Sequence, residues 1–249
     1  MTILIFIIIL ALLVLSHEFG HFIVAKKTGM VVEEFGFGFP PRLFSIKKGG
    51  TRYSFNALPL GGFVKIKGEE GGFADDPGSF SARPTHTRIL VLATGVVFNF
   101  ILGYILFLFL ALYDVSWYAI FGRAFEYLGL AILLTVQAFW GVLKIALAGG
   151  DVSSFIAGPV GIVSIVRDTM SAGLPFLIQL TAFLSINLAI INILPIPALD
   201  GGRVFFILIE AVSRRKINPK ISSIAHAAGF AILLLLLAIV TIYDISRIF

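Results

Sequence analysis

Four long stretches of this 249-residue chain carry almost no charged side chains, and they restrict its fold more than any other feature. A helix of about 20 apolar residues is long enough to cross the ~30 Å hydrocarbon layer of a bilayer. Hydrophobic residues make up 58% of the chain and charged residues 13%, about half the charged share of soluble domains. Since such a chain cannot cover itself with polar groups, we predict an α-helical polytopic membrane protein. Its four transmembrane helices are expected at about residues 2–25, 88–112, 175–199 and 222–243.

The segment between the first two spans has a different composition. Residues 30–68 are rich in β-forming side chains, glycines and turn signals, and Lys48-Gly49-Gly50 is typical of a tight turn. We predict a β-hairpin element over these residues. The following residues, 69–85, are polar and are expected to form an exposed loop.

A fifth apolar stretch covers residues 124–148 but is interrupted by three polar side chains, Glu126, Gln137 and Lys144. The distribution of basic residues indicates its position. Ten Lys and Arg residues lie between residues 26 and 88 and five between 203 and 220, so the positive-inside rule predicts that both segments are cytoplasmic. An even number of crossings must then separate residues 113 and 174, and zero is the simplest. We therefore predict that 124–148 is an interfacial or re-entrant helix and that both termini lie outside.

The composition also excludes several kinds of protein. The chain contains no cysteine, which rules out disulfides, thiolate catalysis and thiolate zinc ligands. Its net charge of +5 does not indicate a nucleic-acid partner, because the basic residues form no nucleic-acid motif and 25 of the 33 aromatic residues are phenylalanines. The N-terminal segment lacks a basic start and a cleavage site of small residues, so we expect it to be retained rather than removed as a signal peptide.

The first predicted span contains an H-E-x-x-H motif, His17-Glu18-Phe19-Gly20-His21. Residues i and i+4 of a helix lie on one face, so both imidazoles can bind one metal ion. Zinc suits two nitrogen ligands, and a catalytic zinc site adds a third protein ligand and a water. Glu18 would be the general base that takes a proton from that water as it attacks a peptide carbonyl, and then the acid that protonates the leaving amine.

Short matches to this motif also occur by chance on the surface of soluble helices. The membrane context favours a functional site, because a charge inside an apolar span costs roughly 2.5–3.5 kcal/mol on insertion scales and is usually retained for function. His21 precedes Lys26 by five residues, which is about 7–8 Å of helix rise. The motif is therefore expected just below the cytoplasmic surface.

A second group of functional candidates follows the third predicted span, in the sequence Asn192-Ile193-Leu194-Pro195-Ile196-Pro197-Ala198-Leu199-Asp200-Gly201-Gly202. Asp200 is the candidate third zinc ligand, because it offers an oxygen donor at the same predicted depth as His21. The alternative is an ordinary helix terminus in which Asp200 caps the next helix.

Several other polar residues lie in or near the apolar segments. Asn187 and Asn192 are candidates for binding the backbone of a substrate in lipid, with hydrogen bonding between helices as the alternative. For Asn99 we favour helix packing. His86 and His226 are expected to be incidental rather than ligands.

The β-rich segment 30–68 has two interpretations. An exposed strand edge can pair with an extended peptide and so unwind a substrate helix before it is cut. Alternatively, the segment is a simple cytoplasmic cap on the helices.

Taken together, these motifs resemble the site-2 protease family of intramembrane zinc metalloproteases, in particular the bacterial regulator-of-sigma-E protease type. The resemblance covers most of the chain and rests on HEFGH, GFGFPPRLF, LPLGGFVKIKGE, TGVVFNFILG and NLAIINILPIPALDGGR. It implies that His17, His21 and Asp200 bind Zn²⁺, that Glu18 is the catalytic acid and base, and that Asn192 takes part in substrate handling. It also implies that the β element is associated with the membrane.

The resemblance further implies a class of substrate and a cellular location. Substrates would be single-span membrane proteins such as anti-sigma factors, other membrane-tethered regulators or signal-peptide remnants, cut in a prokaryotic cell (inner) membrane. Members of this type commonly carry PDZ domains after the second span, whereas only about ten residues, 113–123, stand in that place here. We therefore expect residues 1–249 to form a single membrane-embedded protease domain without a PDZ domain.

Two other functions are compatible with polar residues in a membrane. A metal transporter could use His17, His21 and Asp200 as a transit site, although transporters usually show paired repeats and sites at the midplane of the membrane. A non-catalytic scaffold with structural zinc is the other alternative. Loss of cleavage with retained zinc in a Glu18→Gln variant would distinguish the protease from both.

Overall fold

The structure is a computed structural model that describes residues 1–150, 152, 157–215 and 217–248. In this part of the chain it contains α-helices and one antiparallel pair of long strands. The elements in chain order are α1 (Thr2–Lys27), β1 (Val32–Lys48), β2 (Thr51–Ile66), α2 (Thr85–Ala111), α3 (Ile120–Leu147), α4 (Pro159–Ala172), α5 (Leu174–Ile193), α6 (Asp200–Ser213) and α7 (Pro219–Ile248). A short 3-10 helix, Trp117–Ala119, precedes α3.

Five helices among the described residues are long and apolar enough to cross a bilayer, namely α1, α2, α3 with the 3-10 helix before it, α5 and α7. The chain is accordingly a polytopic membrane protein. The predicted interfacial segment 124–148 lies almost entirely within α3. Because α3 meets the length and composition of a span, these two properties do not decide between four crossings and five.

The third predicted span, 175–199, is shorter as a helix than the apolar stretch suggests. The helix α5 ends at Ile193, and residues 194–199 form a loop before α6 begins at Asp200. Pro195 and Pro197 explain the difference, since neither can donate the backbone hydrogen bond that would continue the helix.

The elements form two compact units. The first comprises residues 10–99 and 191–230, and the second comprises residues 1–9, 100–190 and the chain from 231 onward. The core of the first unit consists of Ala25, Met30, Val32, Ile66, Phe80, Val91, Leu92 and Ile207. The core of the second consists of Phe107, Ala124, Ala131, Ala182 and Ile186. Each unit therefore has its own buried apolar cluster.

The strands β1 and β2 are joined by a tight turn at Gly49 and Gly50, whose φ angles are 56° and 81°. Both strands bend, so the first half of β1 has a neighbour on each side: Phe35 pairs with Val64 and also with Tyr53. The second half of β2, up to Ile66, pairs with β1 alone. Among the described residues, this half of β2 thus has one edge that no strand covers.

Candidate metal centre

Three potential ligand atoms lie together in the first unit. The Nε2 atoms of His17 and His21 are 3.2 Å apart, which follows from their separation of one helical turn on α1. The Oδ2 atom of Asp200, at the start of α6, lies 2.9 Å from Nε2 of His17 and 3.2 Å from Nε2 of His21. Both histidines are buried and Asp200 is half-buried. The two motifs recognised in the sequence therefore meet at one point.

The spacing and chemistry of these atoms suit a zinc ion. Tetrahedral zinc with ligands about 2.0–2.1 Å away places its ligand atoms roughly 3.3–3.4 Å from one another. Among the residues that the structure describes, none donates a hydrogen bond of acceptable geometry to the buried Oδ2 atom of Asp200. Burial by itself would raise the pKa of Asp200, but His21 and His17 hold that pKa well below its usual range. A carboxylate and two imidazole nitrogens at these distances form a donor set that suits a divalent cation.

The imidazole ring of each histidine has a polar partner on α2. The Nδ1 atom of His21 lies 2.8 Å from the carbonyl oxygen of Val91, so it must carry the proton and donate it. The neutral ring then has its lone pair on Nε2, which faces Asp200. The side-chain amide of Asn99 lies 3.4 Å from Nδ1 of His17. Asn99 is fully buried. The sequence suggested only a role in helix packing for Asn99 and did not predict its contact with a candidate ligand.

The helix α2 approaches the two histidines very closely at Gly95. A Cβ atom at this position would lie 2.3 Å from Nε2 of His21 and 2.8 Å from Cε1 of His17. Only glycine, which has no Cβ atom, leaves room for the imidazoles at position 95. The contact could not be predicted without knowing how α1 and α2 face each other.

The strand β2 passes beside Glu18. A Cβ atom at Gly62 would lie 2.7 Å from a methyl group of Val14 and 3.2 Å from Cγ of Glu18. Glu18 also interacts electrostatically with both histidines and with Asp200. The carboxyl group of Glu18 therefore belongs to the same local charge cluster as the candidate ligands, and β2 forms the wall next to it.

The remaining predicted site residues occupy different places. Asn192 is buried in the last turn of α5, in the same unit as the candidate ligands. Asn187 belongs to the second unit, where its Oδ1 accepts a hydrogen bond of 2.5 Å from Thr135 of α3, which is the helix-bridging alternative. His86 is exposed at the start of α2. His226, expected to be incidental, accepts a backbone hydrogen bond from Ala198.

The residues of two ion pairs form part of the lining of a cavity of about 480 Å³ in the first unit. Arg203, three residues after Asp200, pairs with Glu69 at the end of the hairpin. Arg88 pairs with Glu210 at 2.9 Å. The attraction of Glu69 is the largest effect on Arg203 and raises the pKa of its guanidinium. These pairs tie α6 to α2 and to the segment that follows β2.

The chain is similar to known proteins over most of its length. Residues 5–236 match the family model described as peptidase family M50. A Clostridium perfringens protein described as a zinc metalloprotease is 30% identical, covering 94% of this chain and 95% of the relative. A similar protein of Fusobacterium nucleatum is 29% identical over the full length of both.

The regulator of sigma-W protease RasP of Bacillus subtilis is 26% identical over 100% of this chain and 99% of the relative. Its alignment spans 418 positions, against 249 residues in this chain, so the relative contains long segments that this chain lacks. The shortness of this chain is consistent with the absence of a PDZ domain. The chain belongs to peptidase family M50, the site-2 protease family, and is a zinc metalloprotease.

Proposed function

We propose that this protein hydrolyses peptide bonds in or near the transmembrane helices of single-span membrane proteins, with zinc held by His17, His21 and Asp200. The observation that carries the proposal is the meeting of two buried Nε2 atoms and one carboxylate oxygen within 3.2 Å of one another. Two of these groups come from an apolar helix, where polar side chains are costly and usually functional.

In the proposed mechanism each residue of the site has a separate role. Zinc, when bound, lowers the pKa of a water and polarises a carbonyl oxygen. Glu18 accepts a proton from the attacking water and returns it to the nitrogen of the leaving amine, so the reaction consumes one water and no net proton. The carbonyl oxygen of Val91 keeps the Nε2 lone pair of His21 directed at the site by accepting the hydrogen bond that Nδ1 donates. The atom of Asn99 nearest to Nδ1 of His17 is the amide nitrogen Nδ2, at 3.4 Å. Asn99 would perform the same task for His17 with its amide turned over, so that the oxygen accepts a hydrogen bond from Nδ1.

The substrate would be held as an extended strand. The edge of β2 that no described strand covers passes beside Glu18 at Gly62, and an unpaired edge offers the backbone groups that an unwound peptide needs. A helix in lipid must lose its own hydrogen bonds before it can be cut, and strand pairing replaces them. Asn192, in the same unit as the candidate ligands, would supply a further contact to the substrate backbone. Asn187 is the second candidate for such a contact.

The proposed topology has four spans, with the site near the cytoplasmic face and both termini outside. Residues early in α2 contact His21, and α5 leads into the loop that carries Asp200, so both helices have one end at the site. If α2 leaves the cytoplasmic side and α5 returns to it, an even number of crossings separates them. In that arrangement α3 does not cross alone, which agrees with an interfacial or re-entrant helix, and residues 1–249 form one protease domain without a PDZ domain.

The proposed substrates are membrane-tethered regulators such as anti-sigma factors, or signal-peptide remnants, in a prokaryotic cell membrane. One relative is named a regulator of sigma-W protease, which supports the first class. Only the eight residues 112–119 separate α2 and α3, and three of them form the 3-10 helix, so no folded domain stands between these helices to select substrates.

Quantitative proteomics of membrane fractions tests this proposal. Cells producing the Glu18→Gln chain should accumulate single-span membrane fragments that are absent from cells producing the wild-type chain. Glu126→Gln is the matched control, because Glu126 also lies in an apolar helix but is exposed and paired with Arg123. Equal fragment levels in all three strains, together with zinc flux through the wild-type protein in liposomes, would favour the transporter instead.

A further inference from the structure

The loop that delivers Asp200 contains a residue in an unusual backbone conformation. Ala198 has a φ of +84°, a region that residues with a Cβ atom rarely occupy. Such a conformation persists only when surrounding contacts hold it. Asp200 follows two residues later, so the conformation of Ala198 influences where α6 begins and where the Asp200 carboxylate points.

A side chain on α7 holds this residue. The backbone N–H of Ala198 donates a hydrogen bond of 2.9 Å to Nδ1 of His226. Because Nδ1 is the acceptor, the neutral ring carries its proton on Nε2. The ring of Phe206, on α6, makes an edge contact with the imidazole at a centroid distance of 5.4 Å and restrains its orientation.

Two further contacts enclose the loop. A Cβ atom at Gly229, three residues beyond His226 on α7, would lie 2.3 Å from the carbonyl oxygen of Pro197. On the other side, a Cβ atom at Gly202 of α6 would lie 2.2 Å from the carbonyl oxygen of Ile196. The loop backbone is thus held between α6 and α7, and His226 provides the hydrogen bond that selects the conformation of Ala198.

We propose that His226 is a positioning residue for Asp200, acting through the backbone of Ala198 rather than by contact with metal or substrate. This inference rests on the proposed role of Asp200 as a zinc ligand. Groups that orient a ligand typically change metal affinity or activity about 10- to 100-fold when they are removed. His226 should therefore affect the metal site although it lies outside both sequence motifs.

Three substitutions separate the hydrogen bond from the volume of the ring. His226→Asn places an acceptor oxygen near the position of Nδ1, whereas His226→Gln moves its amide one bond further from the backbone. His226→Phe keeps the ring volume and removes every acceptor. Zn²⁺ affinity is measured on the full chain in detergent by competition with a chromogenic chelator, and the visible absorption of Co²⁺ reports the ligand geometry.

We expect His226→Phe and His226→Gln to weaken Zn²⁺ binding about 10- to 100-fold and to reduce the Co²⁺ absorption of a four-coordinate site. His226→Asn should retain the wild-type affinity and spectrum. Circular dichroism checks the fold of each variant. If His226→Phe does not fold, the comparison of His226→Gln with His226→Asn decides.

Wild-type affinity in His226→Phe or His226→Gln would overturn the inference. A loss in His226→Asn as large as that in His226→Phe would also overturn it, because the acceptor would then not be the feature that matters. Asp200→Ala separates a failure of the positioning role of His226 from a failure of the proposed zinc ligands. If Asp200→Ala weakens binding while His226→Phe does not, only the positioning role fails; if Asp200→Ala binds Zn²⁺ like the wild type, the proposed ligand set fails.

Discussion

Gly95 on α2 faces His21 on α1 so closely that a Cβ atom at position 95 would lie 2.3 Å from Nε2 of the imidazole. The atom involved is the one that would bind zinc. Gly95→Ala must therefore displace either the ring or the helix, and we expect Zn²⁺ affinity to fall about 10- to 100-fold.

Gly129→Ala is the matched control for this prediction, because a Cβ at position 129 would have no described atom within 4 Å apart from its chain neighbours and the nearby backbone of its own helix. Both substitutions gain roughly 1 kcal/mol of helix propensity, so propensity cannot account for a difference between them. Chelator competition on the two purified variants measures the effect. Equal affinities would show that α2 does not constrain the imidazoles.

Gly62 on β2 should affect turnover without affecting metal content. The three described atoms nearest to a Cβ at this position are a methyl carbon of Val14, Cγ of Glu18 and the carbonyl oxygen of Gly36, and none of them belongs to a candidate ligand. Since a displacement of about 1 Å in a catalytic group can cost ~10²-fold in rate, we expect Gly62→Ala to lower kcat strongly. Zinc content, measured by mass spectrometry, should remain that of the wild type.

Gly61→Ala serves as the neighbouring control for the strand. Its Cβ would meet the outer ring atoms of Phe39, a side chain that can rotate away. A loss of turnover in Gly61→Ala equal to that in Gly62→Ala would contradict a specific effect on Glu18.

The backbone of Ala198 gives a prediction about stability. At a φ of +84°, glycine is the residue with the least strain and a β-branched residue has the most. We expect Ala198→Gly to keep or raise Tm in detergent, and Ala198→Val to lose about 1–3 kcal/mol of stability. A higher Tm for Ala198→Val than for Ala198→Gly would contradict the conformation assigned to Ala198.

The loop after the hairpin should loosen in acid. The carboxylate of Asp76 accepts hydrogen bonds from the Lys67 ammonium group and from the N–H of Gly78, and these bonds lower the pKa of Asp76. A carboxyl group with a lowered pKa in the folded state stabilises that state above its unfolded pKa, and the contribution disappears as the pH falls through the folded value. Protease sensitivity of residues 69–84 should therefore rise below about pH 4. In Asp76→Asn the same sensitivity should already be present at neutral pH, and an unchanged acid profile in that variant would contradict the assignment.

Much of the site's arrangement could be predicted from local patterns. The spacing of His17 and His21 requires a shared helix face, and the basic loops predicted that Asp200 lies at the same depth, where the structure has it 3.2 Å from His21. Their roles as zinc ligands remain predictions. The break at Ile193 follows from two prolines, although the apolar stretch around them suggested a longer helix.

The supporting contacts could not be predicted in this way. The approach of Gly95 to His21, of Asn99 to His17 and of His226 to Ala198 depends on how separate helices are rotated against one another. A sequence pattern gives the apolar character of such helices, but an apolar helix that is hydrophobic all round has no pattern that indicates which side faces which neighbour. The same limitation applies to α3, whose composition suits either a span or an interfacial helix.

The most direct test of the central claim uses the purified wild-type, Glu18→Gln and Glu126→Gln chains in liposomes with a single-span substrate taken from the accumulated fragments. Zinc content and cleavage are measured on the same samples. We predict equal zinc content in all three chains, wild-type cleavage in Glu126→Gln, and cleavage reduced about 10²–10⁴-fold in Glu18→Gln. Wild-type cleavage by a zinc-loaded Glu18→Gln chain would contradict the assignment of Glu18 as the catalytic base and acid.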